Sequence, residues 1–281
     1  MEASTAGAEP PRTRPAARAT ASPAGGVAAY LAELIGTFIL VLAILMAVIV
    51  NSGDGIGVTD YVTIGLVHAL ALGVLVYAVG GASGAHLNPA VTAALALGRK
   101  IRPSDAAIYV VVQIIGGILA ALLLKLLFKD EGNAVNYGAP AIAEAPPPPP
   151  AQPGLPPVAD AGTGWLDGKP LGGLVVEALG AFILMWAIMA VAVNPRGERS
   201  VAGLVIGGGL GLAVLIFAPV TGASFNPARA LGPMLASGEW GDGWVFIVAP
   251  VIGTILAYVS YTAIVLTPQA RTGERPIDIL D

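Results

Sequence analysis

Gly84-Ala85-His86-Leu87-Asn88-Pro89-Ala90 and, 138 residues on (88 to 226), Gly222-Ala223-Ser224-Phe225-Asn226-Pro227-Ala228 decide how the chain is read. Each stretch follows a long apolar run and opens a segment too short to cross a bilayer. The first continues from Val91 to Leu97 and stops at Gly98-Arg99-Lys100. The second continues from Arg229 to Leu235 and stops near Ser237-Gly238. A full span needs about 20 apolar residues. Both segments therefore read as half-helices, 88–98 and 226–236, that enter a membrane and turn back.

Asn-Pro suits such an entry. The Asn side-chain oxygen satisfies a backbone N–H left free in the first helical turn. Pro at the first helical position lacks an N–H and already has a helical φ. With its oxygen engaged, the Asn amide still has N–H donors to offer. The helix end behind it carries about half a positive charge. Irregular backbone at membrane depth survives only inside protein or beside a water-filled path. Two such ends predict a polar path with donors at its middle.

The composition places the whole chain in a bilayer. Of 281 residues, 56% are hydrophobic and 11% charged, against about 25% charged in soluble domains. The net charge of −4 and the lack of a basic patch with interleaved aromatics argue against nucleic acid. Zero cysteines exclude disulfides and thiolate chemistry, and the two histidines stand too far apart for a dedicated metal site. No cofactor is expected, and no nucleophile–base pair or phosphate loop suggests an enzyme.

Six apolar runs qualify as spans: 27–50, 62–80, 106–128, 171–193, 201–220 and 243–266. Ser104 is the expected cap of the third. Residues 1–26 read as a disordered cytoplasmic tail, and 267–281 as a cytoplasmic C-terminal tail. Residues 129–170, with Pro146–Pro150 unbroken, read as a long extracellular linker of polyproline character.

The two halves repeat. Ala32-Glu33-Leu34-Ile35-Gly36-Thr37-Phe38-Ile39-Leu40 is mirrored by Val176-Glu177-Ala178-Leu179-Gly180-Ala181-Phe182-Ile183-Leu184. Repeats 27–128 and 171–266 thus each hold three spans and one half-helix. Three is odd, so the second repeat is inverted, an arrangement that places a site at the midplane. Basic residues cluster on the side of both termini, notably Arg99, Lys100, Arg102, Arg196 and Arg199. That bias predicts cytoplasmic termini. Gly203, Gly207 and Gly211 share one helical face, as do Gly117 and Ala121, which suits close helix packing.

Several polar residues fall in apolar surroundings. Arg229 either marks a pathway or snorkels from a helix end. Glu33 and Glu177 either couple transport to protons or accept the orphan N–H groups of the loops before each Asn-Pro-Ala. Their placement, one per repeat, favours the structural role. His86 is expected to support loop geometry or line the inner vestibule, and Gln113 to make an interhelical hydrogen bond. A lone intramembrane histidine such as His68 more often bonds a neighbouring helix than a ligand.

The paired Gly-Ala…Asn-Pro-Ala motifs with truncated segments resemble the major intrinsic protein family, the aquaporins and aquaglyceroporins, over about residues 27–266. The resemblance implies an all-α membrane fold of six spanning helices and two re-entrant half-helices. It implies a passive water channel excluding protons and ions, multi-pass in the plasma membrane, as a homotetramer with one pore per subunit. Asn88, Pro89 and Ala90 with Asn226, Pro227 and Ala228 would form the pore centre. His68, Val214, Ala223 and Arg229 would form the outer constriction, by their distances from the two motifs.

Water-specific relatives typically carry Phe at the second-span position and His on the fifth span. His68 with Val214 instead looks like constrictions of some plant tonoplast intrinsic proteins, so small neutral solutes such as ammonia or urea join water as expected permeants. Ala230 stands where glycerol facilitators typically place Asp, which argues against glycerol. The alternatives are a broader facilitator of ammonia, urea or glycerol, a coupled secondary transporter using Glu33 or Glu177, and a membrane junction protein adhering through its proline-rich loop.

Overall fold

Six helices long and apolar enough to cross a bilayer dominate the computed structural model, which describes residues 25–52, 60–143 and 169–272. In chain order the first half comprises α1 (Val27–Asn51), α2 (Tyr61–Ser83), the short α3 (Pro89–Leu97), α4 (Pro103–Leu127) and α5 (Lys129–Ala134). The second comprises α6 (Pro170–Ile188), α7 (Ala202–Thr221), the short α8 (Pro227–Ser237), α9 (Val245–Tyr261) and α10 (Thr267–Thr272). Two spans are extended by a π-helical turn each, α6 by Met189–Val193 and α9 by Thr262–Leu266. Most of the expected N-terminal tail and the proline run fall outside the described residues.

The sequence explains the packing. Gly203, Gly207 and Gly211 of α7 lie against Tyr77, Gly73 and Ala69 of α2, where a side chain would collide with the facing backbone. A Cβ on Gly116 would sit 2.6 Å from the Leu34 carbonyl, and one on Gly253 would sit 2.0 Å from that of Ala178. Small residues therefore bring α1 to α4 and α6 to α9 in matching fashion. Large apolar side chains such as Leu31, Ile35, Leu66 and Leu70 remain exposed, as an outer surface facing lipid requires.

The two halves interlock through their half-helices. Tyr258 of α9 donates its hydroxyl to the carbonyl of Gly98, which follows α3, at 3.3 Å. Thr254 of α9 donates to the Ala90 carbonyl at 2.9 Å. In the other direction, Lys125 of α4 donates to the Ala236 carbonyl near the end of α8. Carbonyls at the C-terminal end of a half-helix have no helical partner. Here the Gly98 and Ala236 carbonyls each find a donor on a long span of the opposite repeat.

Two expectations change. Ser104 does not cap α4: Arg102 occupies the cap position without a side-chain bond, and Pro103 begins the helix. The fixed φ of proline starts the helix before Ser104 can act. The start of the supposed linker is also folded. After α5 a 3₁₀ turn (Asn136–Gly138) buries Tyr137, whose hydroxyl donates to the Lys129 carbonyl at 3.0 Å. The Tyr137 ring occupies the space that Gly132 leaves free.

Candidate functional site: two half-helix ends lining a cavity

Asn88 and Asn226 cap α3 and α8 in the manner their sequence suggests. The Asn88 oxygen accepts from the Ala90 N–H at 2.8 Å, and the Asn226 oxygen from those of Ala228 at 3.0 Å and Arg229 at 3.4 Å. Pro89 and Pro227 take the first helical positions. Each Asn also reaches across to the other repeat. Asn88 Nδ2 donates to the Phe225 carbonyl at 2.9 Å, and Asn226 Nδ2 donates to the Leu87 carbonyl at 2.9 Å. The two helix ends are thus clasped tip to tip. One N–H of each amide is used in the clasp, and one is left.

The loops that deliver these asparagines are strained alike. Ala85 and Leu87 have φ of 51° and 49°, and Ala223 and Phe225 have φ of 48° and 53°. Left-handed conformation costs a non-glycine residue about 1–2 kcal/mol. The alternation turns successive N–H groups to one side, and a carboxylate waits there in each repeat. Glu33 accepts from His86 N at 2.9 Å, Leu87 N at 2.7 Å and Gln113 Nε2 at 2.8 Å. Glu177 accepts from Ser224 N at 3.0 Å, Phe225 N at 2.7 Å and the Thr221 hydroxyl at 2.7 Å. Both carboxylates are fully buried. Every one of these partners is a donor, which suits an acceptor-only group.

The repeated glycines complete the seat. A Cβ on Gly36 would lie 2.6 Å from the Leu87 side chain, and one on Gly180 would lie 2.1 Å from the Phe225 ring. Each glycine therefore receives the apolar residue that precedes the pore asparagine.

A cavity of about 560 Å³ runs past this clasp. Asn88 and Asn226 line it, with His68 and Arg229 towards one side and Lys100 and Arg199 towards the other. His68 bonds its own helix, not a neighbouring one: its Nδ1 lies 2.7 Å from the Ile64 carbonyl and must donate. In the neutral ring Nε2 then carries a lone pair, and this buried atom has no protein partner. Arg229 does not snorkel. It is 2% exposed and donates to the Gly138 carbonyl at 2.7 Å and the Gly222 carbonyl at 3.4 Å, while its buried Nε–H has no protein partner. Val214 and Ala223 are fully buried, and neither lines the cavity.

His86 lines the cavity on the other side of the clasp. Its Nδ1 lies 3.2 Å from Thr92 Oγ1. That hydroxyl donates to the Asn88 carbonyl at 3.0 Å and accepts from Gln113 Nε2 at 3.0 Å, so the histidine is the donor. The ring also meets Tyr109 edge-on, with centroids 5.1 Å apart. Gln113 joins Glu33 to Thr92 and so links α4 to α1 and α3. Sequence reading missed the role of Gly138: its carbonyl holds Arg229 from a stretch that carries no motif. Among the described residues no group of three or more His, Asp or Glu is arranged to hold a metal ion.

Comparison with known proteins bears on the family and the fold. The family model described as "Major intrinsic protein" matches residues 21–261. The aquaporin NIP1-1 of Zea mays is 36% identical over 237 residues, covering 84% of this chain and 74% of that one. A glycerol uptake facilitator protein-like 6 of Lactiplantibacillus plantarum is 36% identical over 233 residues, covering 81% and 94%. The crystal structure of the aquaglyceroporin from Plasmodium falciparum superposes with a TM-score of 0.66 at 21% identity, covering 86% of this chain and 98% of that one.

Proposed function

This chain belongs to the major intrinsic protein family, and on that premise we propose that it is a passive channel for water and small neutral solutes that excludes protons and ions. The observation that carries the reading is the clasp of Asn88 and Asn226 beside a cavity that both residues line. The N–H that each amide keeps free can donate to a passing water oxygen. A water held by two such donors must donate its own hydrogens away from the centre, which interrupts a continuous proton wire. The positive ends of α3 and α8 meet at the same point and repel cations. A bare charge at the bilayer centre already costs at least about 2.5 kcal/mol.

Of the four residues expected at the filter, it is assigned to His68 and Arg229, which line the cavity, with Val214 and Ala223 buried behind its wall. The free Nε2 of His68 accepts and the free Nε–H of Arg229 donates. A solute carrying both kinds of group can therefore replace the water it sheds there. Two relatives bear names of different solute habit, a water channel by family name and a glycerol facilitator. That range favours a filter open to small neutral solutes beyond water. Glu33, Glu177, His86 and Gln113 are assigned to holding the loops, which makes proton coupling unnecessary. The protein catalyses no reaction in this reading.

In the proposed organisation, repeats 27–128 and 171–266 flank an extracellular connection of 129–170, and the tails 1–26 and 267–281 lie in the cytoplasm. The basic residues on the Lys100 side support that orientation. The plasma membrane and a homotetramer with one pore per subunit complete the proposal. Stopped-flow light scattering on proteoliposomes, with sucrose, urea, glycerol and ammonium gradients, tests it. Water permeability no higher than that of protein-free liposomes would overturn the channel reading. Accumulation driven by a pH gradient would replace it with coupled transport.

A further inference from the structure

The cavity is larger and more one-sided in charge than a file of single waters requires. At about 560 Å³ it falls within the roughly 300–1,000 Å³ of small-molecule sites. Its lining includes three cations, Lys100, Arg199 and Arg229, and no aspartate or glutamate. Lys100 comes from the turn after α3, and Arg199 from the turn before α7. Both side chains are exposed, and neither has an ion pair or a hydrogen-bond partner among the described residues. Their basic neighbours differ. Arg102 is paired with Asp105 at 2.6 Å, and Arg229 is committed to two carbonyls.

The wall beside the two free cations is apolar: Val76, Leu95, Val193 and Ala202 line the same cavity. The nearest acid in sequence is Glu198, which does not line the cavity and accepts from the Ser200 N–H at 3.0 Å. The Ser200 hydroxyl and then that N–H hold its carboxyl below the usual carboxylate range. At the inner end stand the asparagine donors and the positive ends of α3 and α8, which disfavour a cationic head there. Two free cations at a mouth, an apolar shaft behind them and a donor-lined waist match one chemistry.

We propose that the Lys100–Arg199 end of the cavity binds a short-chain amphipathic monoanion, whose head rests between the two cations and whose tail fills the shaft and stops flow. The site rests on the channel reading for its consequence, the block, and not for the binding itself. Pairing with two cations fixes the head at the mouth, so the tail points inward. Each methylene buried in the shaft strengthens binding about fourfold, until the chain meets the asparagine waist. A cation of the same length gains the tail term and loses the head term.

The test uses butane-, pentane- and hexanesulfonate, which stay charged and do not cross the bilayer as neutral acids. Water flux is measured in proteoliposomes with the sulfonate on both faces, beside hexyltrimethylammonium at the same concentration. The result expected is block that strengthens about fifteenfold from butane- to hexanesulfonate, with the ammonium at least tenfold weaker. In K100Q/R199Q, referred to its own uninhibited flux, the half-blocking concentration rises at least tenfold. Thermal unfolding of the solubilised protein reads binding without flux: hexanesulfonate raises the midpoint of the wild type and not of the variant. Equal potency of sulfonate and ammonium, or undiminished sensitivity of K100Q/R199Q, overturns the site. A protein that shows the thermal shift and no water flux keeps the site and loses the channel reading.

Discussion

Glu177→Gln separates a loop-holding carboxylate from a proton-coupling one. In the wild type, Oε1 accepts from the Thr221 hydroxyl and Ser224 N, and Oε2 accepts from Phe225 N. Glutamine keeps one oxygen. Placed at Oε1 it retains two bonds, and its NH₂ then faces the Phe225 N–H, donor against donor. The orphaned N–H costs about 1–3 kcal/mol, and each bond retained on a neutral acceptor weakens by about 1 kcal/mol. Relief of the buried charge's desolvation returns part of this. The net loss is about 2–3 kcal/mol, or roughly 30- to 150-fold in a folding equilibrium. It falls on the loop that carries Asn226, so water permeability per folded channel should drop together with thermal stability. Thermal denaturation of solubilised protein and stopped-flow water flux read the two effects. Glu33→Gln should behave alike, since its three partners are also donors. A variant as stable as wild type, with normal water flux and an altered response to a pH gradient, would refute the loop-holding argument.

Other perturbations probe other parts. Gly180→Val should mis-seat Asn226, because a Cβ there would stand 2.1 Å from the Phe225 ring; water flux should fall several-fold, and Gly208→Ala, at an open position, should not change it. Arg229→Val removes the donors to Gly138 and Gly222 and a buried charge from the cavity, so leakage of cations and larger neutral solutes should rise in ion-flux and swelling assays. With no cysteine in the chain, mercurials should leave water flux unaltered, and thiol-reversible block would contradict the composition. Tyr258→Phe withdraws the hydroxyl from the Gly98 carbonyl and should lower stability by about 1 kcal/mol with little change in permeant selectivity.

What could be read in the sequence was whatever depends on neighbours along the chain. The spans follow from apolar runs, the half-helix entries from Asn-Pro, and the pairing of Glu33 with Glu177 and of Gly36 with Gly180 from the repeat. What could not be read depends on partners distant in sequence. No local signal tells that Asn88 donates to the Phe225 carbonyl, 137 residues away. A main-chain oxygen looks the same at every position, so the Gly138 carbonyl that holds Arg229 was invisible inside a stretch that reads as linker. The left-handed Leu87 and Phe225 run against residue preference and arise only because a carboxylate and a glycine pocket from α1 or α6 hold them. His68 shows the same limit within one helix: its i−4 carbonyl competed with every interhelical acceptor, and composition could not rank them.

The residue type at the two tips follows from counting what each side chain must do. It must accept from the first turn of its own half-helix, donate to a carbonyl of the opposite loop, and still offer a donor to the cavity. Asparagine has one oxygen and two N–H groups on a short stem, which matches that demand with nothing left over. Aspartate at either tip would cap the helix equally well, yet it would set an acceptor against the Phe225 or Leu87 carbonyl and add a charge where the bilayer tolerates it least. Serine caps but has one hydrogen, so the clasp would consume the donor meant for the permeant. The clasp also makes the tips mutually dependent. Each loop's carbonyl is the partner of the other loop's amide, so neither half-helix can be placed without its counterpart. The inverted repeat is therefore needed at the centre of the molecule as well as at its periphery, where Tyr258 and Lys125 each close the half-helix of the other repeat.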